Sequence, residues 1–257
     1  MLKEKLLFGD KVDRVATAID RLKTFEPPEG YYLAFSGGKD SVVIKALADM
    51  AKVKYDAHYS VTTIDPPELV YFIREHHADV AFDRPKEPFL VMMVRKGFPQ
   101  RQRRWCCAEY KERGGTGRIV VTGIRGAESH QRSKRKMVES CYKDTSKRYL
   151  NCIIDWEDTD VWEFIRTYKI KYCKLYDEGF KRLGCLFCPM SNRRKQEVKR
   201  YPKYTDAFIK AFVRLYADKQ AKGLTSVDRW KDGEDMFYWW INEKREKHIP
   251  EQFVIFE

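Results

Sequence analysis

The sequence predicts an α/β protein: a Rossmann-like parallel sheet followed by a C-terminal helical extension. Short apolar runs, such as 31–35 and 118–122, alternate with amphipathic helical segments as far as Tyr201. Beyond that residue only helical periodicity remains. Strands that alternate with helices favour a parallel sheet with helices on both faces.

Each element follows from a local pattern. The N-terminal segment 1–29 is expected to form a helix capped by Asp10, with an apolar face of Val12, Val15, Ile19 and Leu22. Apolar runs predict strands at 31–35, 55–64, 79–82, 118–122 and 150–154. Helical periodicity predicts helices at 42–50, from Pro66 through Ile73, at 89–94, and across Val161–Ile165. We therefore expect an α/β domain of residues 30–200 and a helical region of residues 201–257 with an aromatic helix around Trp239.

The composition indicates a folded protein of the cell interior. The 257 residues are 43% hydrophobic and 14% aromatic, which excludes a disordered chain. No apolar run approaches the roughly 20 residues that span a bilayer, and the segment Met1–Lys5 lacks the apolar stretch of a signal peptide. We therefore expect a cytoplasmic protein with no membrane association.

Positive charge is concentrated in one stretch of the chain. The net charge is +12, and residues 95–148 hold 16 Lys and Arg against five Asp and Glu. The rest of the chain is nearly neutral. The run Lys134–Lys136 alone is typical of a solvated loop, but the whole stretch favours a site for polyanions.

A glycine-rich hexapeptide lies between a predicted buried strand and a predicted helix. It comprises Ser36, Gly37, Gly38, Lys39, Asp40 and Ser41. The two glycines let the backbone approach an anion, at which the following helix points its free N–H groups. The lysine adds a positive charge, the aspartate can hold Mg²⁺, and the serines can donate hydrogen bonds. The hexapeptide is not a Walker A motif, yet it predicts a phosphate cradle rather than an ordinary Gly-Gly turn.

A second candidate anion site follows the predicted strand at 118–122. Gly123 is succeeded by Arg125, Glu128 and Arg132. Guanidinium groups match phosphate or sulfate oxygens in bidentate pairs, and Glu128 can orient one of them. A surface ion-pair patch is the alternative, but we interpret Arg125 and Arg132 as anion ligands.

Four of the seven cysteines stand in pairs with metal-ligand spacing. Cys106 and Cys107 are adjacent, and Cys185 and Cys188 form a Cys-x-x-Cys turn. Cysteines in a reducing compartment more often serve metal binding or catalysis than disulfides. A four-cysteine site can hold zinc or an iron–sulfur cluster; a redox disulfide in the Cys185/Cys188 turn is the alternative.

Taken in order, these motifs resemble the phosphoadenosine phosphosulfate reductase family of the PP-loop ATP pyrophosphatase superfamily. The hexapeptide resembles the PP-loop, and the segment 122–132 resembles the family's Gly-x-Arg…Glu-Ser…Arg motif. The segments 154–162 and 175–185 follow the family pattern as well, so the resemblance covers roughly residues 30–200.

The resemblance implies an adenine nucleotide alpha hydrolase-like fold that binds an adenine nucleotide, with Mg²⁺ and ATP as expected cofactors. It implies nucleotide contacts from the hexapeptide, from Asp65 in the turn after the second strand, and from Gly123, Arg125 and Arg132. The cysteine pairs resemble the ligand set of the iron–sulfur branch, which implies a 4Fe–4S cluster, with zinc as the alternative, on Cys106, Cys107, Cys185 and Cys188.

The sequence departs from sulfonucleotide reductases in one respect. Those enzymes carry their attacking cysteine near the C-terminus, whereas no cysteine follows Cys188 here. We therefore expect an enzyme that activates a substrate by adenylation, from ATP to AMP and pyrophosphate, in sulfur transfer, with Lys39, Asp40 and Arg125 as catalytic residues. A nucleic acid or a sulfur-donor protein is the expected further partner. The alternatives are an adenylyl- or phosphoadenylyl-sulfate reductase that uses Cys141 or a partner thiol, and a non-catalytic nucleotide- or nucleic-acid-binding module.

Overall fold

The computed structural model describes residues 2–5 and 11–242, which form two compact units. Within the described residues, the sheet unit comprises 2–86 and 105–185, and the helical unit comprises 87–104 and 186–242. Among the same residues, no helix is both long enough and apolar enough to cross a bilayer.

The sheet unit contains a short hairpin and a six-stranded sheet. The hairpin pairs β1 (Lys3–Lys5) with β2 (Lys11–Asp13). The sheet strands are β3 (Tyr31–Ala34), β4 (Tyr55–Ser60), β5 (Ala81–Asp83), β6 (Ile119–Val121), β7 (Val138–Ser140) and β8 (Arg148–Leu150). Their order is β5-β4-β3-β6-β8-β7, and every pairing is parallel except that of the edge strand β7 with β8. The predicted fold class, a mostly parallel α/β sheet with helices and a helical C-terminal part, is confirmed.

Ten helices occur in the described part of the chain. They are α1 (Arg14–Thr24), α2 (Lys39–Ala51), α3 (Pro67–His76), α4 (Phe89–Lys96), α5 (Trp105–Tyr110), α6 (His130–Ser133), α7 (Asp158–Thr167), α8 (Arg194–Arg200), α9 (Pro202–Ala221) and α10 (Gly233–Asn242). In the sheet unit α2 packs against both α1 and α7. In the helical unit α9 packs against α4 and α10.

Two local predictions were wrong. The carboxylate of Asp13, not Asp10, caps α1 by accepting hydrogen bonds from the first backbone N–H groups at 3.0 Å; Val12 lies in β2, and Asp10 lies outside the described residues. The strand predicted at 150–154 ends at Leu150, because the next residues close a turn in which Ile154 N donates to the carbonyl of Asn151. Cys152 and Ile153 of that turn are fully buried without being in a strand.

The aromatic residues of the C-terminal region mostly fill a core. Phe208, Phe212, Phe237 and Trp240 are at most 1% exposed and contact one another within the helical unit. Burial of aromatic side chains is a large stabilising contribution, since each removes roughly 150–250 Å² from water. Trp239 remains 38% exposed, whereas residues 243–257 of the predicted helical region lie outside the described residues.

Candidate functional site

The hexapeptide forms the turn between β3 and α2, at the carboxyl end of a central strand. Gly37 has a φ of 71°, and a Cβ there would lie 2.7 Å from Leu69 and 2.8 Å from Ile73. Gly38 is the N-cap of α2 and has no side-chain cap. The N–H groups of the first helical turn therefore face the position where open α/β folds bind anions.

Hydrogen bonds inside the turn fix its shape. The hydroxyl of Ser41 donates to the carbonyl of Gly38 at 2.8 Å and lies 3.3 Å from the hydroxyl of Ser36. The backbone N–H of Lys39 donates to the phenol oxygen of Tyr176 at 2.8 Å, and burial raises the pKa of that phenol. The neutral phenol oxygen of Tyr176 thus accepts a hydrogen bond from the N–H group that a phosphate oxygen would otherwise use.

Two buried cations meet two carboxylates beside the turn. Lys39 is 6% exposed and Arg125 is 2% exposed. The ammonium of Lys39 lies 3.0 Å from Asp158 and 3.4 Å from Asp40. The guanidinium of Arg125 donates to Asp40 at 2.7 Å and to Asp158 at 3.0 Å. The structure therefore brings together the three residues predicted to be catalytic and adds Asp158.

The charge of Asp158 responds to this arrangement. Partial burial alone would raise the pKa of its carboxyl group, but the hydrogen bond and charge of Lys39, together with Arg125, bring the pKa below its usual value. Asp158 remains 62% exposed, so this carboxylate is accessible from solvent while it is bound to both buried cations.

Gly123 and Glu128 place the arginine motif against the turn. A Cβ at Gly123 would lie 2.9 Å from Cβ of Asp40, so only glycine permits this approach. One carboxylate oxygen of Glu128 accepts from the backbone N–H of Arg125 at 3.2 Å and pairs with Arg132. Glu128 therefore orients Arg132 while it fixes the backbone at Arg125.

Arg132 lies in a positive environment. Burial, followed by the charges of Arg182 and Arg125, lowers its pKa to about 10. Mutual repulsion of this kind between cations is relieved when an anion binds between them. Among the described residues Arg182 has no ion-pair partner, and its guanidinium is a further candidate for an anion contact.

Asp65 has a structural role in its own turn. Its buried carboxylate accepts from the backbone N–H of Thr62 at 2.8 Å. It also shares the surroundings of Lys111, whose ammonium is hydrogen-bonded to Cys185 and whose pKa is raised chiefly by Cys185 and then by Asp65. The predicted contact of Asp65 with a nucleotide stays a prediction.

The predicted cysteine ligands are distributed over both units. Cys106 and Cys107 lie in α5, and Cys185 ends the same unit, whereas Cys188 belongs to the helical unit. None of the seven cysteines, all within the described range, forms a disulfide. Across residues 2–5 and 11–242, no group of three or more His, Cys, Asp or Glu is arranged to hold a metal ion.

Three residues near the turn were not identified from the sequence. Asp158 and Tyr176 lie in segments that follow the family pattern, so their motifs were visible although their roles were not. Arg182 lies just before Cys185 and carried no local signal. All three reach the site through tertiary structure, which periodicity and spacing do not encode.

A comparison with family models identifies the family of this chain. The family model of the phosphoadenosine phosphosulfate reductase domain matches residues 30–206, and the chain belongs to this family. The mostly parallel sheet agrees with a crystal structure of phosphoadenylyl-sulfate reductase from Candida auris in a phosphate complex. That structure is similar with a TM-score of 0.52 and 18% identity, over 66% of this chain and 88% of the other.

Curated relatives extend beyond the matched region. An uncharacterized protein of Methanocaldococcus jannaschii is 31% identical over 221 residues, which are 77% of this chain and 45% of the relative. A probable FAD synthase of Caenorhabditis elegans is 26% identical over 185 residues, which are 71% of this chain and 34% of the relative. The chain spans about half or less of the length of these relatives.

Proposed function

We propose that the sheet unit binds ATP with Mg²⁺ and transfers its adenylyl group to an acceptor, releasing pyrophosphate, as the activating step of a sulfur transfer. The observation that carries this proposal is the pair of buried cations, Lys39 and Arg125, at the N-terminal turn of α2. Buried cations at the N-terminus of a helix suit the phosphates of a nucleotide.

The residues present support a simple division of roles. An acceptor oxygen attacks the α-phosphorus, a new P–O bond forms, and the bond to pyrophosphate breaks. Negative charge grows on the departing pyrophosphate, and Lys39 and Arg125 would stabilise it from fixed positions. Because Asp40 and Asp158 already hold both cations, little reorganisation is needed when phosphate oxygens take over these contacts.

Magnesium fits the carboxylates of this site. Mg²⁺ is held in nucleotide sites by one or two carboxylates together with phosphate oxygens and water. Asp40 and the exposed Asp158 are the residues that would hold it, and the ion would neutralise charge on the phosphates.

The relatives support chemistry on an adenine nucleotide. The family name refers to an adenine nucleotide, and one relative is named as a probable FAD synthase. FAD contains an adenylyl group, so this match favours adenylyl transfer.

The test compares two lysines of the same helix. Lys39→Ala removes the cradle cation, whereas Lys45→Ala removes a similarly buried lysine that pairs with Asp49 and Asp79. We expect Mg-ATP binding and pyrophosphate release, with FMN or single-stranded RNA as trial acceptors, to fall about 100-fold or more in the first variant only. An absence of ATP binding, or equal behaviour of the two variants, would refute the proposal. Tight binding without turnover would indicate a non-catalytic nucleotide-binding module.

We also propose, from the sequence pattern, that Cys106, Cys107, Cys185 and Cys188 bind a 4Fe–4S cluster, with zinc as the alternative. The support is the tandem pair followed by a Cys-x-x-Cys turn. No step of the reaction above is assigned to the cluster. Anaerobic purification with iron, sulfide and zinc analysis tests it; a protein without stoichiometric metal, unchanged by Cys185→Ser, would refute it.

Cys141 favours a second candidate, reduction of an adenylyl sulfate. The thiol is buried, which raises its pKa, but N–H groups of Lys143 and Asp144 and the phenol of Tyr149 outweigh burial and lower the pKa. A thiol with a lowered pKa ionises more readily than a free one, and its thiolate can attack the sulfate sulfur, forming an S–S bond as the S–O bond to the nucleotide breaks. Sulfite release from adenylyl sulfate with thioredoxin, lost in Cys141→Ser, would support this reaction.

A further inference from the structure

An open groove lies at the β7 edge of the sheet. Its volume is about 650 Å³, and it is lined by Lys134, Lys136, Val138, Glu139, Ser140 and Arg148. We call it the edge groove. It is formed where β7 pairs antiparallel with β8, so that Ser140 lies opposite Arg148. The edge groove lies within the basic stretch 95–148.

The cations of the edge groove are not neutralised. Lys134, Lys136 and Arg148 are exposed, and among the described residues none of them has an ion-pair partner. The acidic residue of the groove, Glu139, instead pairs with Arg135 and accepts from the side chain of Asn151 at 3.0 Å. The groove therefore has a surplus of positive charge that no nearby carboxylate offsets.

An exposed aromatic ring lies in the loop that joins the two strands of the edge groove. The loop 141–147 joins β7 to β8 directly beyond the Ser140–Arg148 pair, and its Tyr142 is 87% exposed. The ammonium of Lys143 lies 5.5 Å from the centre of the Tyr142 ring. Lys143 pairs with Glu112 at 2.6 Å, so the unpaired cations of the groove are the three named above. An exposed ring in the loop that joins the two groove strands adds a stacking platform to this phosphate track.

We propose that the edge groove binds single-stranded nucleic acid, with phosphates at Lys134, Lys136 and Arg148 and a base stacked on Tyr142. A free phosphate or an acidic peptide would use the cations but has no base for the ring. Double-stranded nucleic acid would offer phosphates with its bases already stacked on one another. That the bound single-stranded nucleic acid also accepts the adenylyl group rests on the proposed function. The binding of the nucleic acid in the edge groove does not.

The test measures binding of a fluorescent 20-nucleotide oligo(U) by anisotropy, without ATP, at salt from 50 to 200 mM. The groove variant is Lys134→Gln/Lys136→Gln/Arg148→Gln. The matched control, Lys23→Gln/Arg166→Gln/Lys171→Gln, removes the same charge from exposed positions of the same unit that have no ion pair among the described residues. Thermal melting of each variant checks that it folds.

The groove variant should lose about two units of the slope of log K against log salt, since each phosphate contact contributes roughly 0.7 for a single strand. Tyr142→Ala should weaken binding about tenfold, and Tyr142→Phe should retain it. The proposal would be overturned if the groove variant and its control bound oligo(U) with equal affinity. It would also be overturned if polyglutamate competed as well as unlabelled oligo(U), or if duplex RNA bound as tightly as oligo(U). Because ATP is omitted, these outcomes are independent of the pyrophosphate assay.

Discussion

Replacement of Gly123 tests whether the segment after β6 must contact the turn between β3 and α2. A methyl group at Gly123 would lie 2.9 Å from Cβ, 3.0 Å from the carbonyl carbon and 3.1 Å from the carbonyl oxygen of Asp40. Carbon atoms prefer separations of about 3.5–4.0 Å, so the two segments must move apart by about 0.5–1 Å. Overpacking of this kind typically costs about 1–3 kcal/mol, and each kcal/mol lowers Tm by about 2–4 °C in a chain of this size.

The same movement displaces the first turn of α2, which carries Lys39. A misplacement near 1 Å can cost about 100-fold in rate, so Gly123→Ala should reduce pyrophosphate release beyond its effect on stability. Thermal unfolding and pyrophosphate release are measured together below the melting range. Gly184→Ala is the stability control, because a Cβ there meets nothing within 4 Å. A Gly123→Ala protein with wild-type Tm and wild-type turnover would show that the close approach is not required.

Three further substitutions test charges elsewhere in the structure. Asp158→Asn should destabilise the protein at neutral pH, and the difference from wild type should disappear as pH falls below about 4. The pKa of Asp158 is lowered by its ion pairs, which are lost when the carboxylate is protonated. Urea unfolding at several pH values measures the difference in the free energy of unfolding. Burial, and then the charge of Lys45, lower the pKa of His77 to about 4. The free energy of unfolding of the wild type should therefore fall by up to about 3 kcal/mol between pH 6.5 and 4. The same pH series on His77→Gln should lack this fall in stability. Glu197→Ala should lower the free energy of unfolding by about 2 kcal/mol, because the carboxylate accepts hydrogen bonds from the buried backbone N–H of Phe187 at 2.7 Å and from Ser191 at 3.1 Å. Glu197→Gln should retain most of this stability in urea unfolding. Equal losses of stability in the two variants would contradict the hydrogen-bond explanation.

The turn between β3 and α2 could be predicted from the sequence because its signals are local. A buried strand, two glycines and a helix start lie within about ten residues, and the turn between β3 and α2 has this order. The strand at 150–154 was predicted wrongly for a related reason. Buried apolar residues satisfy the strand pattern even where Asn151 and Ile154 close a turn, and only the tertiary hydrogen bonds distinguish the two cases.

The neighbours of the cradle could not be predicted in the same way. β6 lies beside β3, and β8 lies beside β6, so the segments after β6 and β8 contribute Arg125 and Asp158 to one edge of the sheet. Parallel strands align their carboxyl ends, but the order of strands is a global property. The Cys106–Cys107 and Cys185–Cys188 pairs show the same limit: their spacing was visible in the sequence, whereas a common site depends on how distant segments are placed.

The surplus of positive charge has two physically different parts. Lys39 and Arg125 are buried and paired with carboxylates, which fixes their geometry and makes them suited to charge that develops during a reaction. Lys134, Lys136 and Arg148 are exposed, and within the described residues they are unpaired, which suits salt-dependent affinity but gives little positional precision. Neutralising the buried pair should therefore change turnover, whereas neutralising the exposed cations should change how binding depends on salt. The proposed activation of one substrate and the proposed binding of a second, polyanionic one require both kinds of site.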